Sequence, residues 1–322
     1  MEISLEGKVA LVTGVGPNIG SGIALALAKY GAKVACNDLS EEAAGACVKR
    51  IERNGGTAMR VIGDVTSEDD VRGYVDDILA AWGKIDILVN NAAVMSGFAS
   101  VLDETAERFS RSLLVSGLGN LLNTKYVARS MAERGIRGSI VCISSSSGWT
   151  ASPGYISYSY QKGGVNNFVR GAAMELAPYD IRVNGYTPTS PTPDNPELIA
   201  ARAAAAAANG GPPDPLKYTG KSGGDEPWRR PVRWEGERPP LIPMGTTGTP
   251  TDIGHCVAWI SSDYARLITG CDFVVDGGAR AKNHMFIPPE PGQMYGPAPL
   301  IELDTAAPIY GRSAPDEGLV TW

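Results

Sequence analysis

The chain is short of the residues that build metal centres and covalent crosslinks. Its 322 residues include two histidines and five cysteines. An odd number of cysteines without closely spaced pairs argues against a disulfide framework and against a zinc site. Cys36, Cys142 and Cys271 fall inside apolar, strand-like runs and read as small core residues. His255 and His284 lie outside the residue set developed below and read as non-ligands, so no metal is expected. Long apolar runs are missing too: no stretch approaches the roughly 18 uninterrupted apolar residues of a bilayer span, and no membrane partner is expected. The opening MEISLEGKVALVTG sets acidic residues before a short apolar run with no cleavage-like site. That is unlike a secretory signal, and a cytoplasmic location is the expectation. Dense basic clusters are also lacking, since 29 lysines and arginines stand against 35 acidic residues for a net charge of −6. The nearest approach, Arg229, Arg230, Arg233 and Arg238, is mixed with Glu235 and Glu237 and reads as a solvated loop. Nucleic acid is therefore not an expected partner.

What the chain does have is apolar content, 43% of its residues, ample for a buried core in one large domain or two small ones. The run from Lys8 to Val12 suits a strand buried on both faces, and it ends at Thr13-Gly14. A helix follows almost at once, with Ile19, Ile23, Ala24, Leu27 and Ala28 as its inward stripe, and Gly31 stops it before a strand at Lys33–Cys36. Strand, glycine-containing turn, helix and strand in succession offer helix N-terminal amides to a pyrophosphate. Gly14 and Gly20 let the backbone approach the phosphates, and Asn18 or Ser21 adds side-chain donors. Asp38 lies eighteen residues after Gly20. A carboxylate there accepts hydrogen bonds from both ribose hydroxyls of NAD and repels the extra phosphate of NADP. The plain alternative for Asp38 is a helix N-cap, a job for which Ser40 competes. A helix through Ala44–Asn54, a strand at Ala58–Ile62, a helix at Glu68–Trp82 and an apolar run from Ile85 continue the alternation. It predicts a parallel, doubly wound sheet with right-handed crossovers and a cofactor lying across the carboxyl ends of its strands.

Further along, Tyr158 and Lys162 are four residues apart and lead into a helical pattern of Val165, Phe168, Val169, Ala172 and Leu176. The two side chains then project from one helix face about a turn apart. An ammonium beside a phenol favours the phenolate, and a positively charged nicotinamide ring favours it further, drawing the tyrosine from about 10 towards working pH. Tyr158 is then a general base. Thirteen residues before it, Ser145 ends the apolar strand Ile140–Ile143 and is placed to hold a substrate oxygen beside the phenol. A half-buried tyrosine beside a solvated lysine is the plain structural alternative.

Together these features, with Gly148 and Ile181-Arg182-Val183-Asn184, resemble the short-chain dehydrogenase/reductase family, and in particular its NAD-dependent secondary-alcohol dehydrogenases. The resemblance spans about 8–193 and 243–280. It implies an α/β fold with a single Rossmann-type doubly wound parallel sheet flanked by helices on both faces, over residues 1–280. It assigns hydride-transfer chemistry to Ser145, Tyr158 and Lys162. The family's Thr-Gly-x-x-x-Gly-x-Gly turn is matched by Thr13, Gly14 and Gly20, with Asn18 in the middle glycine's place and Ile19 beside it. Asparagine tolerates a left-handed backbone better than most residues. Asp38 and Leu39 would meet the ribose, Asp64 and Val65 the adenine, and Asn91 and Ala92 belong to an Asn-Asn-Ala-Gly-like segment with Ala93 replacing its glycine. In a helix expected over Thr105–Met131, Ser116 takes the place of an asparagine that organises a proton-relay water. It either holds that water or caps a neighbouring carbonyl.

The segment Gly185–Pro193 resembles the family's Pro-Gly stretch beside the nicotinamide, with Thr189 replacing glycine. Pro188 and Thr192 are its expected cofactor contacts. Residues 193–243 correspond to an enlarged substrate lid that holds a helix at Glu197–Ala208, and loops of this length in a compact domain are seldom idle. Trp149, Tyr155, Tyr218, Trp228 and Trp234 suggest a roomy, mostly apolar pocket, unless the lid tryptophans pack the loop against the body or a neighbouring subunit. Residues 281–322 form a proline-rich tail, and a homodimer or homotetramer is expected. The reading that results is an oxidoreductase interconverting a bulky cyclic or aromatic secondary alcohol and its ketone with NAD. The alternatives are a dinucleotide-binding sensor or scaffold with little catalysis, suggested by Asn18, Ala93, Ser116 and Thr189, and an NADPH-dependent carbonyl reductase.

Overall fold

A computed structural model describes residues 3–95, 99–151, 154–189, 191–208 and 248–281. Its seven strands are β1 (Val9–Thr13), β2 (Lys33–Asp38), β3 (Ala58–Ile62), β4 (Ile87–Asn90), β5 (Ser139–Ile143), β6 (Arg182–Pro188) and β7 (Asp272–Val275). They form one sheet in the order β3-β2-β1-β4-β5-β6-β7, and every neighbouring pair is parallel. The chain builds outwards from β1 to β3 and then returns to β4 on the other side. The strand order therefore reverses between β1 and β4, where a crevice opens at the carboxyl ends.

Parallel strands need helical crossovers, and the helices cover both faces. Alternate residues of each strand serve opposite layers. Ala10 and Val12 of β1 pack in a cluster with α1 (Ile19–Lys29), α2 (Glu41–Arg53) and α8 (Pro250–Ser261), through Ile23, Leu27, Ile51, Ile253 and Val257. Val9 and Leu11 pack on the other face with α3 (Glu68–Trp82), α5 (Gly119–Glu133) and α6 (Ile156–Leu176), through Val75, Ile78, Met131 and Val165. Both faces being covered explains why all five residues of β1 are buried and why its sequence runs apolar without alternation. Helix starts are fixed locally: Ser40, Ser67 and Thr105 each accept a backbone N–H three residues on, and Thr249 forms a reciprocal box with Asp252. The short helix α7 (Pro196–Ala208) lies beyond β6.

One expected element differs. The single helix over Thr105–Met131 is instead α4 (Ala106–Leu113), a π turn at Leu114–Leu118, and α5. A π turn adds a residue without breaking the helix, so the apolar stripe reads as continuous in sequence while the helix face rotates. The turn contains Ser116, one of the expected site residues.

Candidate active site

A crevice of about 780 Å³ runs across the carboxyl ends of the strands. Its dinucleotide-facing half begins at the turn after β1. Gly14 has φ +66°, a left-handed conformation costly for any side chain, and a Cβ there would sit 2.8 Å from the Ala92 Cα. At Gly20 a Cβ would meet the Gly14 carbonyl oxygen at 2.1 Å. Two glycines are thus required by sterics where the backbone must come close to a ligand. Asn18 does not use the left-handed tolerance expected of it: its φ is −109°, and the turn's left-handed step falls on Gly14. Asn18 nonetheless lines the crevice, and its buried Oδ1 has no partner among the described residues.

Asn91 braces this turn from β4. Its Nδ2 donates to the carbonyls of Thr13 and Gly14 at 3.1 and 2.7 Å, while Thr13 Oγ1 accepts the N–H groups of Asn91 and Ala92. At the end of β2, Asp38 lines the crevice beside Leu39, and its Oδ1 accepts the Ser40 N–H at 3.0 Å. Ser40 caps α2, accepting from Ala43 N–H at 3.1 Å, so the N-cap alternative for Asp38 passes to Ser40. Asp64 and Val65 line the same wall, with Asp64 Oδ1 accepting the N–H and hydroxyl of Thr66, each at 2.8 Å. Ile19, Asn91, Ala92 and Pro188 complete the expected contacts that reach the crevice. Thr192 does not: it is exposed, and its N–H donates to the Gly248 carbonyl at 2.9 Å. Thr189 and Pro191 line the crevice in its stead.

The reactive half is built by β5 and α6. Gly148 lies against α6 so closely that a Cβ would fall 2.7 Å from the Lys162 carbonyl oxygen. That contact seats the loop after β5, and Ser145 caps its 3-10 turn by accepting the Ser147 N–H at 3.2 Å. Ser145 and Tyr158 both line the crevice, and the Ser145 hydroxyl lies near enough to the phenol to act on its ionisation. One turn on, Lys162 is 3% exposed and its Nζ donates to the Ile143 carbonyl at 2.7 Å, 5.8 Å from the centre of the Tyr158 ring. Burial pulls Lys162 down to about 8, against an opposing influence from Cys142. Burial also raises the Tyr158 phenol; the Ser145 hydroxyl works to lower it and nearby Tyr155 to raise it. From the protein's own groups the net direction is upward. Withdrawal from water outweighs any help from the lysine, whose ammonium is turned to a strand carbonyl.

Ser116 is buried but lies off the crevice wall, which Leu114 and Val115 form at that level. Its hydroxyl donates to Gln161 Oε1 at 2.6 Å, and Gln161 Nε2 donates to the Val94 carbonyl at 2.8 Å. Bonding a carbonyl, here a side-chain one, is one of the two roles expected of Ser116. Gln161 was not anticipated; its position between Tyr158 and Lys162 was the available signal. Arg111, Thr66, Met95 and Arg202 are further crevice residues the sequence did not single out.

Among the described residues that line the crevice, neither Trp149 nor Tyr155 appears, in contrast to the expectation. Trp149 Nε1 donates to Asp272 Oδ2 at 2.6 Å and to Thr187 Oγ1 at 3.3 Å, and the Arg280 guanidinium lies 4.2 Å from its ring centre. An indole N–H seeks an acceptor when partly buried, and here it finds one on β7. Tyr155 stacks at 6.3 Å from Tyr158 without reaching the crevice. Tyr218, Trp228, Trp234 and His284 lie outside the described residues, as do most of the lid and nearly all of the tail. Cys36 and Cys142 are buried, but Cys271 is exposed, being at the open edge beside β7. His255 Nδ1 pairs with the Tyr30 hydroxyl at 2.9 Å. Among the described residues no group of metal-ligating side chains occurs, and no helix is long and apolar enough to cross a membrane.

A dinucleotide fits these residues on three counts. The paired glycines leave a cradle that a Cβ would fill, α1 presents its N-terminus with no acidic residue in the first turn, and Asn18 keeps a polar oxygen without a partner.

Comparison with known proteins gives the same architecture. A family model described as short chain dehydrogenase matches residues 8–196, and one described as enoyl-(acyl carrier protein) reductase matches residues 233–280. Cyclopentanol dehydrogenase from Comamonas sp. (strain NCIMB 9872) is 32% identical over 275 residues, 85% of this chain and 97% of the relative. The crystal structure of NAD+-bound xylitol dehydrogenase matches with a TM-score of 0.69 and 30% identity, covering 85% of this chain and 99% of that one. A gluconate 5-dehydrogenase from Burkholderia cenocepacia J2315, in complex with NADP and tartrate, matches at 0.70 with 26% identity, covering 87% and 98%.

The buried Lys162 has a measurable signature. Its folded pKa lies near 8, below the unfolded value of about 10.4. Between those values the unfolded chain holds more protons, so this residue's effect on stability improves as pH rises from 8, and below 8 the buried ammonium opposes folding. Lys162→Met is expected to melt above wild type at pH 7 and to lose that advantage towards pH 10.4. Calorimetry showing the variant less stable at pH 7 would contradict the assignment.

Proposed function

The chain belongs to the short-chain dehydrogenase/reductase family, and from that premise we propose that it interconverts a secondary alcohol and a ketone with NAD, the substrate being cyclic or otherwise bulky. The observation that carries the reading is the convergence of Ser145, Tyr158 and Lys162 on one crevice, the last two a turn apart on α6. When bound, the nicotinamide supplies the acceptor or donor of hydride. In the oxidative direction Tyr158, as the phenolate, takes the hydroxyl proton of the alcohol while Ser145 donates a hydrogen bond to the same oxygen. Lys162 adds positive charge behind the phenol and a donor for the nicotinamide ribose. Fixing these groups on β5 and α6 reduces the freedom that the reacting atoms must otherwise lose.

Two features support the finer points. The cyclopentanol dehydrogenase relative supports a cyclic secondary alcohol. Asp38 at the end of β2 supports NAD, because its carboxylate faces the crevice where a ribose phosphate would be repelled. The competing reading, a dinucleotide sensor with little catalysis, draws on Ser116, whose hydroxyl is committed to Gln161.

Screening cyclic and aryl secondary alcohols, with reduced-cofactor absorbance as readout, separates the readings. Tyr158→Phe is expected to lower turnover roughly 10²–10⁴-fold with NAD affinity nearly unchanged. Activity that survives the substitution removes the mechanism, and a blank panel with saturable NAD binding favours the sensor. In the same assay wild type is expected to prefer NAD over NADP by at least about tenfold in kcat/KM, with Asp38→Ser narrowing the gap. A wild-type preference for NADP would overturn the cofactor assignment.

A further inference from the structure

We propose that Arg202, on α7, is a cofactor-binding residue that grips the dinucleotide's pyrophosphate beside the N-terminus of α1. The inference rests on the dinucleotide reading above and adds a contact that none of the motif residues supplies.

The position of α7 is set by its first turn. Asn195 is 8% exposed; its Oδ1 accepts the Glu197 N–H at 3.0 Å and its Nδ2 donates to the Pro17 carbonyl at 3.2 Å. Glu197 reaches back to Arg53 at the end of α2, 3.7 Å away. The first attachment lies at the glycine turn and the second at the end of α2, both on elements other than those that carry Ser145 and Tyr158. Arg202 follows Asn195 by seven residues, two helical turns, and so shares the face that Asn195 turns to Pro17. It lines the crevice together with Pro17, Asn18 and Ile19.

Among the described residues Arg202 has no ion pair or hydrogen bond. The two carboxylates on the crevice wall, Asp38 and Asp64, sit at the ends of β2 and β3 and accept bonds from Ser40 and Thr66. The residues that begin α1, whose free amides carry partial positive charge, line the same crevice as Arg202. Two positive groups in one cleft, where Asp38 and Asp64 are the acidic residues among the described lining, make an anion site. A guanidinium fork matches phosphate oxygens bidentately, while the helix amides meet the remaining oxygens. The same chemistry would suit an anionic group on the substrate; attachment of α7 to the glycine turn favours the pyrophosphate.

The test needs no knowledge of the substrate. Calorimetric titration of the full chain with NAD is compared for wild type, Arg202→Gln and Arg202→Lys. The expected result is a dissociation constant about tenfold higher for Arg202→Gln, an intermediate value for Arg202→Lys, and a shallower salt dependence of NAD binding for Arg202→Gln than for wild type. Because Arg202 is exposed, the cofactor-free melting temperature should not move. An NAD affinity within twofold of wild type overturns the proposal. If that result came with reduced turnover of alcohols, the anion held by Arg202 would belong to the substrate, which also overturns it. Failure of wild type to bind NAD at all would remove the dinucleotide reading itself, a result distinct from either.

Discussion

The absence of a side chain at Gly148 is the constraint on which the site depends. Only without a Cβ can the loop after β5 lie on the backbone of Lys162, where the nearest atom would be 2.7 Å away. Ser144 reinforces the seam by donating to Asn166 Oδ1, and the Asn166 amide nitrogen donates to the Gly148 carbonyl. With loop and helix joined there, Ser145 arrives at the Tyr158 phenol, and Lys162 spans to the Ile143 carbonyl. A sheet edge and a helix face are thus held in one geometry by backbone contact, which tolerates far less play than contact between long side chains.

Burial then creates an electrostatic tension at the same place. Withdrawal from water pushes the phenol up and the amine down, so the local environment favours the neutral form of both groups. The Ser145 hydroxyl opposes this at the phenol but is the weaker influence. Both effects come from the protein's own groups, and a cation bound beside the phenol would act in the opposite direction. Cys142, pushed up to about 12 by complete burial beneath Lys162, does not offer a competing anion at neutral pH.

Much of the fold was legible because its signals are local and one-dimensional. Continuous apolar runs such as Val9–Thr13 mark strands covered on both faces, and serines ahead of Ala43 and Asp70 mark helix starts. Glycine spacing gave the turn after β1, although the left-handed residue proved to be Gly14 and not Asn18. What escaped was set by partners distant in sequence. The π turn leaves no mark on an apolar stripe, and Ser116 is directed by Gln161, forty-five residues away. Trp149 looked like pocket lining by composition, yet its N–H is drawn to Asp272 on the far strand. Cys271 sits in an apolar run but next to the sheet's open edge, and a run cannot reveal which strand will be outermost.

The account's centre is that Tyr158 is a buried acid whose ionisation awaits a bound cation beside it. Labelling the phenol carbon of Tyr158 with 13C and titrating the chain by NMR, with and without NAD, tests this directly. The account predicts a phenol pKa above the ordinary tyrosine value in the free chain and a clear fall when NAD is bound. An ordinary value in the free chain, or one that NAD leaves unmoved, would contradict it.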